Sequence, residues 1–270
     1  FQEEQNAEYL HKKNTYQRVK RLAFQEALDI LSQRGQVLLS GLEGTGKTIL
    51  LSQLYQHFSN DSSVICLSAF VGTSLYSMSV RPIMTRWLLL AQHLGSPVPD
   101  DVVLLNEKRT TLVSLYDQFY ALVDELNLQG KNVCVYLDAI QLFEMQNKDD
   151  AYLSWLNQKV MFIGTVTPEF RGKAEKYNPA MQCISIQELG VDELRVILEN
   201  EERVYMIELP SAIKQSLAGR PTSPLRLAMI MTLLTHLCTN DFRRIRNEGS
   251  GSEIEKINQY MYQLYLNAPD

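Results

Sequence analysis

The sequence predicts an α/β fold in which a parallel β-sheet is followed by a C-terminal helical domain, and three observations support this prediction. Five apolar runs of strand length alternate with segments whose apolar residues have helical spacing. A glycine-rich stretch, GLEGTGKT, joins the first of these runs to the next helix. Beyond about residue 189 every segment has a helical pattern. We therefore predict an N-terminal helical segment over residues 1–34, an α/β domain over 35–188 and a helical lid domain over 189–270.

The strands are predicted in order from short, nearly continuous apolar runs. Such runs are typical of parallel strands that are buried on both faces. The five candidates are QVLLSG, SSVICLSAF, NVCVYLDAI, KVMFIGTV and the shorter CISIQEL. Because they alternate with helices, we expect a doubly wound sheet that binds its ligand at the carboxyl ends of the strands.

The helices are predicted from apolar residues that recur every three or four positions. They include a helix that ends near Gly35, then KTILLSQLYQHF, VRPIMTRWLLLAQHLG and TLVSLYDQFYALVDELNLQG, and finally the helical segments of the tail. One short stretch interrupts the tail. GSGS at residues 249–252 has the composition either of an engineered linker or of a natural flexible loop.

The composition limits the classes of function. The chain has 270 residues, of which 45% are hydrophobic and 21% are charged, enough for one core domain and a smaller companion. A net charge of −5 argues against a broad nucleic-acid surface, which needs clustered Lys and Arg. Four widely separated cysteines favour a reducing compartment. No apolar run approaches the ~18 residues of a membrane span, so we expect a cytoplasmic or nuclear protein with no membrane partner.

GLEGTGKT, residues 41–48, matches the phosphate-binding pattern G-x-x-x-x-G-K-S/T at every fixed position. Its glycines allow backbone conformations that point successive N–H groups at phosphate oxygens. Lys47 is predicted to reach the β- and γ-phosphates, and Thr48 to hold Mg²⁺. The sequence therefore predicts a nucleoside triphosphate site with Mg²⁺. Its binding residues are Gly41, Gly44, Thr45, Gly46, Lys47, Thr48 and Ile49.

A second part of the site is predicted at the end of the strand VCVYLD. Asp138 ends this run, where a carboxylate can hold Mg²⁺ together with the Thr48 hydroxyl. The alternative is an Asp that caps the next turn. The next acidic residue, Glu144, comes six positions later, so the local sequence offers no carboxylate to activate water. Gln141 is the candidate that positions the attacking water, as glutamines do in GTPases.

The blocks GLEGTGKT, SAFVGTSLYSMSVRPIMTRWLLLAQHL, YLDAIQLF and LSWLNQKVMFIGTV together resemble the STAND class of P-loop NTPases. Within that class they resemble the NACHT-type branch of telomerase-associated, nephrocystin-like and NACHT/WD-repeat proteins, over about residues 15–268. The resemblance implies a nucleotide-dependent switch. ADP is held between the α/β domain and the lid, and ATP favours an open state that self-assembles or exposes a site for protein partners.

The resemblance also implies three further nucleotide contacts. Pro224 in RPTSPLRL is similar to the proline of a Gly-x-Pro-like lid motif, although Thr222 replaces the glycine and Pro221 competes for the role. Thr165 occupies the sensor position at the end of FIGTV, or else its hydroxyl only satisfies the strand end. Arg18 in TYQRVKR lies in the segment that lines the adenine pocket in this branch.

Three functions are therefore weighed. The first is an ATP/ADP switch module of a larger signalling or scaffold protein, with slow or absent hydrolysis. The second is an AAA+ or initiator-like ATPase that works as an oligomer, with FRRIR at residues 242–246 as the source of a neighbour's arginine. The third is a small-molecule kinase, which needs an arginine-rich lid that the tail lacks before Arg243. Two short basic runs keep nucleic-acid contact open as a minor alternative.

Overall fold

A computed structural model shows a chain of two compact units. The first comprises Phe1–Glu43 and Lys47–Ile186, and the second comprises Gly44–Gly46 and Gln187–Asp270. The middle of the glycine-rich stretch thus groups with the C-terminal unit. The structure describes residues 21–33, 35–71, 79–93, 111–145, 159–177, 179–205, 209, 211–218, 222–227 and 230.

The first unit is built on a five-stranded sheet in which every pairing is parallel. Its strands are β1 Gln36–Ser40, β2 Val64–Phe70, β3 Asn132–Asp138, β4 Met161–Val166 and β5 Gln182–Ser185. Their order across the sheet is β2-β3-β4-β1-β5. The predicted α/β fold with a parallel sheet is therefore confirmed, and each predicted strand is present.

The described residues of the first unit form five helices and one 3₁₀ helix, of which the first precedes β1 and the others connect strands. They are α1 Leu22–Ser32, α2 Lys47–Ser59, α3 Val80–His93, α4 Leu112–Leu128, the 3₁₀ helix Ile140–Met145 and α5 Pro168–Tyr177. The start of α4 is capped by Thr111, whose hydroxyl oxygen accepts the Ser114 N–H at 3.1 Å. Helix α5 was not predicted from the sequence. Its sequence buries only Phe170 and Ala174 among the residues whose side chains are described, so its apolar periodicity is weak.

Two hydrophobic layers cover the two faces of the sheet. Along β1, Leu38 joins one layer while Val37 and Leu39 join the other, as the two-residue period of a strand requires. The first layer is completed by the buried Trp87 of α3 and Phe119 of α4. Residues of α1 and α2 complete the second. Burial on both faces explains why these strands have nearly continuous apolar sequences.

The carboxyl ends of three central strands meet at one edge of the sheet. Ser40 at the end of β1 pairs with Val166 at the end of β4, and β4 separates β1 from β3. Since the strands are parallel, the stretch that follows β1 and the Asp138 that ends β3 lie at this same edge. The sheet order therefore places the start of the loop, Asp138 and Thr165 around the end of β4.

Most of the described C-terminal part of the second unit is helical. It contains α6 Val191–Tyr205 and α7 Ser211–Ala218. Glu202 links them, since its carboxylate accepts the Leu209 N–H at 2.6 Å and lies 3.1 Å from the Lys214 ammonium. These helices agree with the helical character predicted for the C-terminal domain. The stretches at residues 242–246 and 249–252 lie outside the described residues.

Candidate nucleotide site

The glycine-rich stretch forms a loop that is anchored to β4 at its start. The Gly41 N–H donates to the Val166 carbonyl at 3.3 Å. Gly44 and Gly46 adopt φ angles of 77° and 93°, in the left-handed region that glycine enters without a steric penalty. Thr45, which lies between them, is buried. Helix α2 begins at Lys47, directly after Gly46. This is the strand, glycine loop and helix arrangement that binds phosphate groups.

Lys47 folds back over the start of the loop. Its ammonium donates to the carbonyls of Gly41 at 2.7 Å and Leu42 at 2.8 Å. Thr48 and Ile49 follow in the first turn of α2, where both are partly exposed. The predicted binding residues of this stretch are thus brought together at the N-terminus of α2, where the helix dipole favours an anion.

Three carboxylates act on the Lys47 ammonium. Burial lowers the pKa of Lys47, and these negative charges oppose that effect. In order of their influence they are Asp138, Glu43 and Glu169. The first was predicted from the sequence as part of the site, whereas the other two were not.

Asp138 and Thr165 are joined across β3 and β4. The Thr165 hydroxyl donates to Oδ1 of Asp138 at 2.6 Å and accepts the Ala139 N–H at 2.7 Å. Both side chains are buried. Ala139 has a φ of 55°, so the chain turns sharply after the strand. Among the described residues the Asp138 carboxylate accepts no hydrogen bond from the following 3₁₀ helix, which counts against the alternative that it caps this turn.

The donor set fits Mg²⁺. A Thr hydroxyl and an Asp carboxylate are hard oxygen ligands, and Mg²⁺ in nucleotide sites is usually held by one or two such groups plus phosphate oxygens. In the part of the chain that the structure describes, no group of three or more His, Cys, Asp or Glu residues forms a metal cage. Thr48 and Asp138 would therefore hold Mg²⁺ together with the nucleotide.

Glu169 is a charged neighbour of the candidate site that the sequence did not reveal. It lies in the first turn of α5, directly after β4. Hydrogen bonding by its own N–H and by the Thr167 hydroxyl lowers the pKa of Glu169, and the charge of Lys47 lowers it further. The signal was an acidic residue in the first turn of a helix that follows a buried strand, at the edge that carries the loop.

Gln141 lies on the 3₁₀ helix after Asp138. Its Oε1 atom is buried and has no hydrogen-bond partner in the described part of the chain. An acceptor that is closed off from solvent is not positioned to bind a water in this conformation. Arg18, the residue predicted to line an adenine pocket, lies outside the described residues.

Within the second unit, the centre of the loop contacts the segment that carries Pro224. The Leu225 N–H donates to the Gly44 carbonyl at 3.2 Å. Ser223 caps this turn, because its hydroxyl oxygen accepts the Arg226 N–H at 3.2 Å. The buried Pro224 occupies the first helical position, where its missing N–H costs nothing. Its competitor, Pro221, lies outside the described residues.

No family model matches the chain, and no curated protein matches it. Solved structures do match. The Walker-type ATPase of Pyrococcus abyssi is 13% identical, with a TM-score of 0.58 over 92% of this chain and 73% of that one. The Aeropyrum pernix ORC1 protein, solved in complex with DNA, is 17% identical, with a TM-score of 0.52 over 89% of this chain and 64% of that one.

The replication initiator DnaA, bound to AMPPCP and single-stranded DNA, is 13% identical, with a TM-score of 0.52 over 84% of this chain and 64% of that one. The chain thus spans just under two-thirds of the ORC1 and DnaA chains. In the described part of the chain no helix is long and apolar enough to cross a membrane. At these identities the likeness shows the fold alone, and the resemblance to the STAND class stays a prediction. The chain has the fold of the P-loop ATPases of the AAA+ type.

Proposed function

We propose that the chain is an ATP/ADP-binding switch module of the STAND type within a larger signalling or scaffold protein. The bound nucleotide sets its conformation or self-assembly, and hydrolysis is slow. One observation carries this proposal. Gly44, at the centre of the phosphate loop, accepts a hydrogen bond from Leu225 and groups with the C-terminal unit. A ligand that changes the loop therefore acts directly on the segment that carries Pro224.

The residues have separate tasks in nucleotide binding. The loop N–H groups and the Lys47 ammonium neutralise the phosphates, while Thr48 and Asp138 hold Mg²⁺. Mg²⁺ held by these two residues would supply positive charge that neutralises the phosphates. Thr165 fixes the orientation of Asp138 through the 2.6 Å bond to its Oδ1 atom. ADP shares the β-phosphate contacts, so the same residues hold both states of the switch.

Slow hydrolysis is supported by the surroundings of Asp138. Ala139 follows it directly, and Gln141 has its side-chain oxygen buried. A fast ATPase needs a residue that activates or positions water close to the γ-phosphate. Among the side chains described after β3, which end at Phe143, none is acidic and the oxygen of Gln141 is buried.

A second candidate function is an initiator-like ATPase that works as an oligomer and contacts nucleic acid. The observation that favours it is the fold shared with ORC1, solved with DNA, and with DnaA, solved with AMPPCP and single-stranded DNA. The net charge of −5 counts against a broad nucleic-acid surface. The two functions differ in how turnover depends on assembly.

The nucleotide carried through purification tests the proposal. We expect ADP to be bound to the purified chain in near-stoichiometric amount, as measured by chromatography after acid release. ATP turnover per chain should be independent of protein concentration. Turnover that rises steeply with concentration, in a chain that carries no nucleotide, would favour the oligomeric ATPase.

A further inference from the structure

The turn that follows β3 has a backbone conformation that is unfavourable for its sequence. Ala139 has a φ of 55°, and among the described residues it is the one residue other than glycine with a positive φ. A Cβ atom crowds the backbone in this region, so such a conformation persists only where the surroundings impose it. Ala139 directly follows Asp138, the predicted Mg²⁺ ligand. The strain therefore lies beside the proposed nucleotide site.

Two adjacent residues of β4 hold the turn in this conformation, and we refer to Gly164 and Thr165 as the β4 clamp. The Thr165 hydroxyl accepts the Ala139 N–H at 2.7 Å and donates to Oδ1 of Asp138 at 2.6 Å. Gly164 leaves the space that the next side chain of the turn occupies, because a Cβ atom at Gly164 would collide with Cδ1 of Ile140. Ile140 is fully buried there. The clamp thus contacts both the backbone and a side chain of the turn.

A second unfavourable feature lies two residues after Ala139. The Oε1 atom of Gln141 is buried, and no group in the described part of the chain donates a hydrogen bond to it. An unpaired buried acceptor costs free energy that a hydrogen bond would recover. The turn and the 3₁₀ helix are continuous, since the Leu142 N–H donates to the Ala139 carbonyl at 3.0 Å. Strain and an unpaired acceptor therefore belong to one short segment that the β4 clamp holds in place.

The β4 clamp and a metal ion would use the same oxygen. The Thr165 hydroxyl has a single proton, which it donates to Oδ1 of Asp138. Mg²⁺ is bound through carboxylate oxygens, and a cation at Oδ1 would repel that proton. Asp138 can offer both of its oxygens only when Thr165 no longer donates to one of them. The released turn is therefore the better Mg²⁺ ligand, and a ligand favours the state that it binds more tightly.

We propose that residues 138–141 form a two-state switch element, which the β4 clamp holds in the nucleotide-free chain and which binding of nucleotide with Mg²⁺ at Asp138 releases. The inference rests on the nucleotide binding proposed above, and it names the element of the first unit that responds to the ligand. In the released state Ala139 returns to a negative φ. The Oε1 atom of Gln141 leaves its buried position and finds a hydrogen-bond donor. The two costs of the clamped state are then removed together.

Hydrogen exchange of single amides, measured by NMR on the whole chain, tests the release. We expect the amides of Ala139 and Leu142 to exchange at least ~tenfold faster with Mg²⁺ and AMPPCP than without ligand, because their hydrogen bonds belong to the clamped state. AMPPCP in the presence of EDTA should not accelerate them. The amide of Leu115, which donates to the Thr111 carbonyl at the start of α4, is the control with unchanged exchange.

Ala139→Gly tests the strain and its link to the metal. Glycine adopts a positive φ without the steric penalty, so this variant favours the clamped state. We expect the affinity for AMPPCP with Mg²⁺ to fall severalfold in calorimetry, the affinity in EDTA to stay unchanged, and the urea midpoint not to fall. Ala121→Gly, at an exposed position within α4, is the control. It should lower the urea midpoint, because glycine weakens a helix, and leave both affinities unchanged.

Gln141→Met is a second variant that does not depend on the folding of Ala139→Gly. It removes the unpaired oxygen at similar size, so it should raise the urea midpoint and also weaken Mg²⁺-dependent binding severalfold.

Three outcomes overturn the inference and leave the proposed nucleotide binding intact. They are unchanged or slower exchange at Ala139 with Mg²⁺ and AMPPCP, equal acceleration in EDTA, and unchanged Mg²⁺-dependent affinity in both variants. A parent chain that binds neither AMPPCP nor ADP would overturn the proposed function as well.

Discussion

The contact between the loop and Leu225 predicts that Gly44→Ala is more damaging than its backbone angle alone requires. At Gly44 a Cβ would lie 3.0 Å from the Leu225 Cβ atom, and the φ angle is 77°. Gly130 offers a matched control. It has the same φ of 77°, but an added Cβ would meet nothing within 4 Å.

The difference between the two variants measures the contact. In each, the left-handed conformation costs an alanine about 1–2 kcal/mol, and the entropy change of the unfolded chain is the same. Only Gly44→Ala also strains the hydrogen bond from Leu225, which is worth about 0.5–1.5 kcal/mol. We therefore expect the free energy of unfolding to fall about 1 kcal/mol further in Gly44→Ala than in Gly130→Ala.

Urea unfolding of the nucleotide-free chain, followed by circular dichroism, is the assay. Leaving nucleotide out removes the separate effect of a methyl group on phosphate binding. Equal losses of stability in the two variants would refute the reasoning, because they would show that the loop and the segment with Pro224 are not coupled.

Three further predictions address the same site. Lys47→Ala should weaken ATP binding at least tenfold, or about 1.4 kcal/mol, and weaken ADP binding as well; unchanged affinities by calorimetry would mean that the loop does not bind nucleotide. Thr165→Val should reduce stability by about 2–4 kcal/mol, because it leaves both Asp138 and the Ala139 N–H without their buried partner, whereas Thr165→Ser should stay close to the parent in urea unfolding. Pro224→Ala should speed ADP release in a stopped-flow assay without changing the melting temperature of the ligand-free chain; an identical off-rate would argue for Pro221 as the contact.

The elements of the fold were predictable where burial gives the local sequence an apolar run or an apolar periodicity. Strands such as β4 are buried on both faces, so the run MFIGTV can be recognised as a strand from its own sequence, without knowledge of the strands that pair with it. Helix α5 was missed because few of its residues face the core. The order of the strands was not predictable, since nothing local in the sequence records that β4 lies between β1 and β3.

The candidate site also has a part that could be predicted from the sequence and a part that could not. The loop is contiguous in sequence and carries its own pattern, and Asp138 ends a recognisable strand. Its bond to Thr165 joins residues 27 positions apart, and the effect of the Glu169 charge on the pKa of Lys47 depends on the sheet order. Along the chain the next acid after Asp138 is Glu144, whereas in the fold the charge of Glu169, from beyond β4, also acts on Lys47.

The central claim, that nucleotide acts mainly as a conformational ligand, is tested most directly by single-turnover hydrolysis with saturating protein. We predict a rate constant for the parent far below the common range of ~1 to 10³ per second. Asp138→Asn should weaken Mg²⁺-dependent binding more visibly than it alters that small rate. Turnover of several per second in the parent, lost in Gln141→Ala, would contradict the switch and identify a true ATPase in which Gln141 positions the water.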